Sequence, residues 1–152
     1  MIPLVDVLVR TEGYLRERGV DSPRLEAELL LCHVLGLKRI EIYLKFDRPM
    51  SEEELDALRP LVARRGRREP MAWVLGSTGF HAIDLETHAG VLVPRPDTEA
   101  LVDQALEWIP ADADPVYVAD VGCGTGAIGL AIAAARPGAR IYAIDRAKEA
   151  IE

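Results

Sequence analysis

The sequence predicts an α/β protein in which a helical N-terminal region precedes a parallel β-α-β unit. Apolar residues recur every three or four positions through residues 1–69, which is the spacing of helices that bury one side. The segment VADVGCGTGAIGLAIAAARPGARIYAID, residues 118–145, then joins two apolar runs through a glycine-rich turn and an alanine-rich helix. We therefore expect two domains, over residues 1–72 and 73–152.

Four short helices are predicted in the N-terminal domain, three of them from start or stop signals. The second begins after Ser22 and ends at Gly36, and a short third helix covers residues 38–45. Ser51 and Glu54 have the spacing of a capping box that opens the fourth. The apolar side of the second helix is expected to comprise Leu25, Leu29, Cys32, His33 and Leu35.

A β-hairpin is predicted over residues 77–93, with its turn around Thr87–Gly90. The segment VPRPDTE follows, and its two prolines exclude regular structure around Arg95. Asp97 or Thr98 is expected to cap the helix that comes next.

The β-α-β unit is predicted as strand 116–121, helix 126–135 and strand 140–145. A right-handed crossover through the helix makes the two strands parallel. Because parallel sheets normally have more than two strands and two covered faces, the sheet is expected to be completed elsewhere, either in a larger domain or by a partner.

Composition excludes several classes of function. The 152 residues carry a formal net charge of −7, which argues against a general polyanion binder, so we expect no direct contact with nucleic acid. No apolar run approaches the roughly 20 residues of a membrane span, and the N-terminus lacks signal-peptide features. Cys32 and Cys123 suit free thiols in a reducing compartment, so we expect a cytoplasmic protein without membrane contact.

The glycine turn is the candidate ligand site. Glycines let the backbone turn tightly and let a ligand approach closely, and the following helix N-terminus offers unpaired N–H groups. Asp145 ends the second strand about twenty residues on, where an acid commonly binds a ribose. Gly124–Gly129 fits the G-x-G-x-x-G pattern of nicotinamide dinucleotide sites, although Gly129 also suits close packing of helix on sheet, and a turn without a ligand is a third alternative.

The strand that ends in Asp120-x-Gly-x-Gly-x-Gly resembles motif I of class I S-adenosylmethionine methyltransferases. A second stretch, VLVPRPDTEALVDQAL at residues 91–106, resembles the PRP(D/E)TE signature of the HemK/PrmC family. Residues 22–36 resemble the second helix of that family's N-terminal domain, and residues 69–80 resemble its link to the catalytic domain. The resemblance covers essentially the whole chain.

The resemblance implies a helical substrate-docking domain followed by the start of a Rossmann-like class I methyltransferase domain. Its expected activity is transfer of a methyl group from S-adenosyl-L-methionine to the glutamine side-chain amide of class I peptide chain release factors. The residues implied to line the cofactor are Asp120, Gly122, Cys123, Gly124, Thr125, Gly126 and Asp145, with Thr98 and Glu99 nearby. No metal ligand is implied.

The family's acceptor motif, Asn-Pro-Pro-Tyr, is missing, since the chain contains no Asn and no Pro-Pro pair. The resemblance therefore implies a chain truncated after the second strand, without an assignable catalytic residue and inactive alone. Self-association through the incomplete sheet is also expected. Two other functions stay open: methylation of amino groups on nucleic-acid bases, and a non-catalytic protein-interaction fragment. Four arginines in RRGRR, residues 64–68, are expected to complement a helix end or to dock onto a release factor or ribosomal RNA.

Overall fold

The computed structural model describes residues 2–112 and 114–151, and the chain forms two compact units that divide between Leu75 and Gly76. The N-terminal unit is helical, and the C-terminal unit combines helices with strands. This confirms the predicted order of a helical region before an α/β region. The domain boundary expected from the sequence lies three residues earlier.

The described residues of the N-terminal unit, 2–75, form five helices and two very short strands. In chain order they are β1 (Ile2–Pro3), α1 (Leu4–Glu17), α2 (Pro23–Leu35), α3 (Arg39–Leu44), β2 (Pro49–Met50), α4 (Glu52–Gly66) and α5 (Met71–Leu75). Strands β1 and β2 pair antiparallel, with Ile2 opposite Met50. A pair of two-residue strands carries no periodicity, so it was not predicted.

The predicted helix signals act at the expected positions. Gly36 ends α2 in a left-handed conformation, with φ at +63°. The N–H of Glu54 donates to Oγ of Ser51 at 3.3 Å, and the N–H of Ser51 donates to the Glu54 carboxylate at 2.9 Å. These two bonds form the capping box that opens α4 and confirm that prediction.

The predicted apolar side of α2 is confirmed only for Cys32 and Leu35, which are partly buried and pack against the core of the unit. The helix buries Ala27, Leu30 and Leu31, whereas Leu25 is 39% exposed and His33 is exposed. Apolar residues occupy several sides of this helix, so their spacing does not select one face, and contacts with α1 and α4 decide it. The fully buried apolar residues of the unit include Leu4, Leu8, Leu15, Leu30, Leu31, Ile42 and Met50.

Over residues 76–112 and 114–151, the C-terminal unit forms a hairpin, two helices and a parallel strand pair. Its elements are β3 (Ser77–Phe80), β4 (Ile83–Glu86), α6 (Pro96–Trp108), β5 (Val116–Val121), α7 (Ala127–Ala135) and β6 (Ala139–Ile144), followed by a short 3-10 turn (Lys148–Ala150). Strands β5 and β6 run parallel in register from Val116 opposite Ala139 to Val121 opposite Ile144. The predicted β-α-β unit is thereby confirmed.

The hairpin exists, but its predicted turn around Thr87–Gly90 is wrong. The turn lies between Phe80 and Ile83, where His81 has φ at +51°. The N–H of His81 donates to the Glu99 carboxylate at 3.1 Å, so a contact with α6 holds a turn that lacks glycine. The sequence pattern placed the turn at Gly90, but this glycine belongs to a loop beyond the hairpin.

Helix α7 covers one face of the β5–β6 pair and leaves the other face open. The core on the covered side includes Phe80, Leu85, Val102, Ala127, Ala131 and Ile132. The open side carries Tyr117, Val121, Tyr142 and Ile144, all at least half exposed. Within the described residues, no helix combines the length and apolar character needed to cross a membrane.

Candidate cofactor-binding site

Three glycines with left-handed backbones fold the turn between β5 and α7. Their φ angles are +79° at Gly122, +55° at Gly124 and +73° at Gly126, which strain any residue with a side chain. The N–H of Gly126 donates to the Cys123 carbonyl at 2.8 Å, and the N–H of Gly122 donates to the Ile144 carbonyl at 2.7 Å. The turn is therefore closed on itself and tied to the end of the neighbouring strand.

Asp145 holds this turn from the end of β6. Its carboxylate accepts the N–H of Gly124 and the N–H of Ala147, each at 2.9 Å. The N–H groups of Ala147 and Gly124 hold the pKa of Asp145 below its usual range, so the group is ionised at neutral pH. Each carboxylate oxygen offers two acceptor directions, so Asp145 keeps capacity for a ligand hydroxyl beside these two bonds.

Asp120 is a second carboxylate that holds the same turn, and it is buried. It is 8% exposed, and its carboxylate accepts the N–H of Gly129 at 3.0 Å. Gly129 lies in the first turn of α7, where N–H groups lack partners within the helix. A Cβ atom at Gly129 would lie 2.7 Å from Cγ2 of Ile141, so this glycine permits close packing of helix on sheet.

A cavity of 580 Å³ opens at the carboxyl ends of β5 and β6. Ligands of open α/β sheets bind at this edge, and the volume lies within the range of small-molecule sites. A Cβ atom at Gly122 would meet no other atom within 4 Å, so the turn backbone is accessible there. The lining residues are Val121, Gly122, Ile144, Asp145 and Arg146.

Two of the nine residues expected at the cofactor, Gly122 and Asp145, therefore line the cavity. Sequence reasoning missed Val121, Ile144 and Arg146, which directly flank these two at the strand ends. Their positions next to the predicted strand termini were the available signal. Cys123, Gly124, Thr125 and Gly126 form the rest of the turn, and Asp120 supports it from β5.

Thr98 and Glu99 lie in the first turn of α6, and neither lines the cavity. Glu99 accepts the His81 N–H, and the N–H of Thr98 donates to the Arg95 carbonyl at 2.9 Å. The prediction that Asp97 or Thr98 caps α6 is wrong. Arg95 occupies the cap position, and no side chain caps the helix.

The loop between the hairpin and α6 reaches the glycine turn through Val91. A Cβ atom at Gly124 would lie 3.8 Å from Cγ1 of Val91, a side chain that is 4% exposed. The sequence pattern places Val91 in a strand of the hairpin, so it does not predict this contact.

Cys123 contributes a buried thiol inside the turn. Burial raises the pKa of Cys123, and the charges of Asp120 and Asp145 raise it further. The thiol is therefore protonated at neutral pH and fills space as a small apolar group. Among the described residues, no three His, Cys, Asp or Glu side chains cluster in a way that would hold a metal ion.

The arginine run at the end of α4 is largely used inside the N-terminal unit. Arg64 donates to Glu69 and to the Trp73 carbonyl, and Arg65 pairs with Glu26. Arg68 donates to the Gly19 carbonyl. These contacts fasten the ends of the helices and leave few of the arginines free to dock a partner.

Two family models match the chain. The PrmC N-terminal domain matches residues 6–76, and the methyltransferase small domain matches residues 98–152. The second match contains the glycine turn, Asp145 and all of the cavity lining.

Curated relatives named release factor glutamine methyltransferase match nearly the whole chain. The protein from Geobacter sulfurreducens is 44% identical over 145 residues, which are 95% of this chain and 50% of the relative. Those from Rhodopirellula baltica and Escherichia coli are each 41% identical, over 93% and 86% of this chain and 49% and 47% of the relatives. The chain spans about half the length of the curated relatives it matches, and its two parts belong to the PrmC N-terminal domain family and the methyltransferase small domain family.

Proposed function

We propose that this chain carries the S-adenosylmethionine site of a release factor glutamine methyltransferase. The whole enzyme would transfer a methyl group to the side-chain amide nitrogen of a glutamine in a class I peptide chain release factor. The observation that carries the proposal is the cavity at the strand ends, where the accessible backbone of Gly122 and the carboxylate of Asp145 meet.

The chemistry of the lining fits this cofactor. Asp145 has free acceptor capacity for the hydroxyl pair of a ribose, and the glycine turn leaves its backbone open to the methionine part. When bound, the cofactor supplies a methyl group on a positively charged sulfur. Two carboxylates, Asp120 and Asp145, accept N–H groups of Gly129 and Gly124, and their negative charge would favour a cationic ligand.

The same contacts disfavour a nicotinamide dinucleotide. Such a cofactor places its diphosphate on the free N–H groups at the helix N-terminus. Here the Asp120 carboxylate already occupies the N–H of Gly129 and adds negative charge at that end of α7. A diphosphate would find the N–H of Gly129 already bonded and would be repelled by the negative charge of Asp120.

The acceptor half of the reaction has no assigned residue in this chain, which lacks the Asn of the family's acceptor motif. An amide nitrogen is a poor nucleophile, so transfer depends on groups that orient it in line with the methyl–sulfur bond. We propose that the chain by itself binds cofactor and docks the acceptor protein without transferring the methyl group.

Calorimetric titration of the chain with S-adenosylmethionine tests the cofactor assignment, with NAD as the competing ligand. We expect micromolar binding of S-adenosylmethionine and none of NAD. Asp145→Ala should weaken binding at least about tenfold, because the ribose acceptor and the turn contacts are both lost. The matched control, Asp112→Ala, removes an exposed carboxylate from a loop of the same unit and should change nothing. Equal binding of NAD, or no binding of S-adenosylmethionine, would contradict the proposal.

A further inference from the structure

Helix α3 exposes three of its four apolar side chains to solvent. Ile40 is 63% exposed, Tyr43 42% and Leu44 77%, and the three lie at spacings that place them on one side of the helix. The opposite side is anchored by Ile42, which is fully buried. We call Ile40, Tyr43 and Leu44, with the cations around them, the α3 surface.

Four cations surround these apolar residues: Lys38, Arg39 and Lys45 along α3 and its ends, and Arg24 from α2. Three carboxylates pair with them. Glu28, the partner of Arg39 and Arg24, is 1% exposed, Glu12 pairs with Arg24 at 3.1 Å and is 17% exposed at its side chain, and Glu41 pairs with Lys45 at 3.1 Å. Because four cations face three carboxylates and the cations are the more exposed groups, the accessible charge of the α3 surface is positive.

The buried Glu28 holds this surface in one arrangement. Its carboxylate accepts two bonds from Arg39, at 2.7 and 3.0 Å, one from Arg24 at 3.1 Å and one from the Tyr43 hydroxyl. The Arg24 guanidinium also lies 5.9 Å from the centre of the Tyr43 ring. Side chains fixed in advance lose less conformational entropy on binding, and Tyr and Arg are enriched among the residues that dominate protein interfaces.

The charge of the two units argues that the partner is a protein. Residues 2–75 carry thirteen basic and thirteen acidic side chains, and residues 76–152 carry five basic and twelve acidic ones. Neither unit has the basic excess of a nucleic-acid-binding domain. A cationic rim around an apolar centre complements a protein segment with apolar residues flanked by carboxylates.

We propose that the α3 surface docks an acidic, apolar segment of the acceptor protein. The segment's apolar side chains would cover Ile40, Tyr43 and Leu44, and its carboxylates would meet Arg24, Arg39 and Lys45. This inference rests on the proposed function for the identity of that acceptor, a class I release factor.

Two matched pairs of variants test the proposal by titration of the chain with a purified class I release factor. Leu44→Asp places a carboxylate in the apolar centre, and Val9→Asp does the same at a position on α1 that is 55% exposed. Lys45→Glu reverses a charge at the C-cap of α3, and Arg67→Glu does so at the C-cap of α4. Circular dichroism and S-adenosylmethionine titration of each variant verify folding and the cofactor site.

We expect Leu44→Asp and Lys45→Glu to raise the Kd for the release factor about tenfold or more, whereas the two controls stay within about twofold. Unchanged affinity in both α3 variants, with the unmodified chain still binding, would overturn the docking surface and leave the proposed function standing. If the unmodified chain binds S-adenosylmethionine but no release factor, the acceptor assignment is wrong and the docking inference fails with it. A dimer in sedimentation that Leu44→Asp dissociates would overturn the proposal by assigning the surface to a second copy.

Discussion

The Asp145 carboxylate accepts the backbone N–H of Gly124 at 2.9 Å, so the end of one parallel strand holds the turn that follows the other. The residue expected to bind the ribose thus also shapes the turn on which the rest of the cofactor would lie. We therefore propose that ligand binding and turn conformation are coupled through this one side chain.

Hydrogen exchange of the amides of Gly124 and Ala147 measures, without any ligand, how firmly Asp145 holds the turn. We expect Asp145→Ala to accelerate exchange at both amides, because each loses its acceptor. Asp145→Asn retains one acceptor oxygen, so only one of the two amides should exchange faster. Protection unchanged in Asp145→Ala would show that the turn is held by other contacts.

The bonds from Gly124 and Ala147 to the Asp145 carboxylate make the stability of the turn depend on pH. Because the pKa of Asp145 is lowered in the folded chain, its contribution to stability is complete above the ordinary value of 3.8 and disappears as pH falls through the lowered pKa. Protection of the Gly124 amide should therefore persist at pH 4 and be lost in stronger acid.

Gly129→Ala should destabilise the C-terminal unit by about 1–3 kcal/mol, because the new Cβ would overlap Ile141 and crowd Asp120. Gly13→Ala is the control, since a Cβ at this position in α1 meets nothing within 4 Å. That substitution should stabilise the chain by about 0.5–1 kcal/mol. Urea titration followed by circular dichroism measures both, and equal effects would contradict the packing role of Gly129.

Glu28→Gln should lower the free energy of unfolding at pH 7 by about 1–2 kcal/mol, a modest loss because Arg24 and Arg39 are partly solvated. Burial would raise the pKa of Glu28, but hydrogen bonds from Tyr43, Arg39 and Arg24 outweigh it and lower the pKa below 4.5. The difference between the two proteins should therefore be full above pH 4.5 and shrink as the pH falls through the lowered pKa. A constant difference down to strong acid would contradict the ionised pairing, and Glu17→Gln provides an exposed control on α1.

The β-α-β unit could be predicted because its local signals agree with its tertiary structure. Glycines stand where φ is positive, and apolar runs stand where strands are covered by α7. The hairpin turn could not be predicted in the same way. His81 adopts a positive φ in contact with α6, whose residues are distant from it in sequence. The buried side of α2 was predicted only in part for a related reason, since Glu28 is buried by partners from other segments.

The candidate site was predicted in part. Gly122 and Asp145 follow from the motif and its spacing, whereas Arg146 and Ile144 line the cavity because of where the strand ends meet. Asp120 is implied by the resemblance to line the cofactor, and the structure shows its bond to the first turn of α7. The α3 surface had no sequence signal, because the side that a six-residue helix buries depends on tertiary contacts.

We propose that the glycine turn and the end of β6 form the S-adenosylmethionine site. An NMR titration of the isotope-labelled chain with S-adenosylmethionine locates the binding site residue by residue. We expect saturable shifts concentrated at the amides of Gly122, Gly124 and Gly126 and of residues 144–146, with none on addition of NAD. Absence of shifts at millimolar ligand, or shifts centred on another part of the chain, would contradict it.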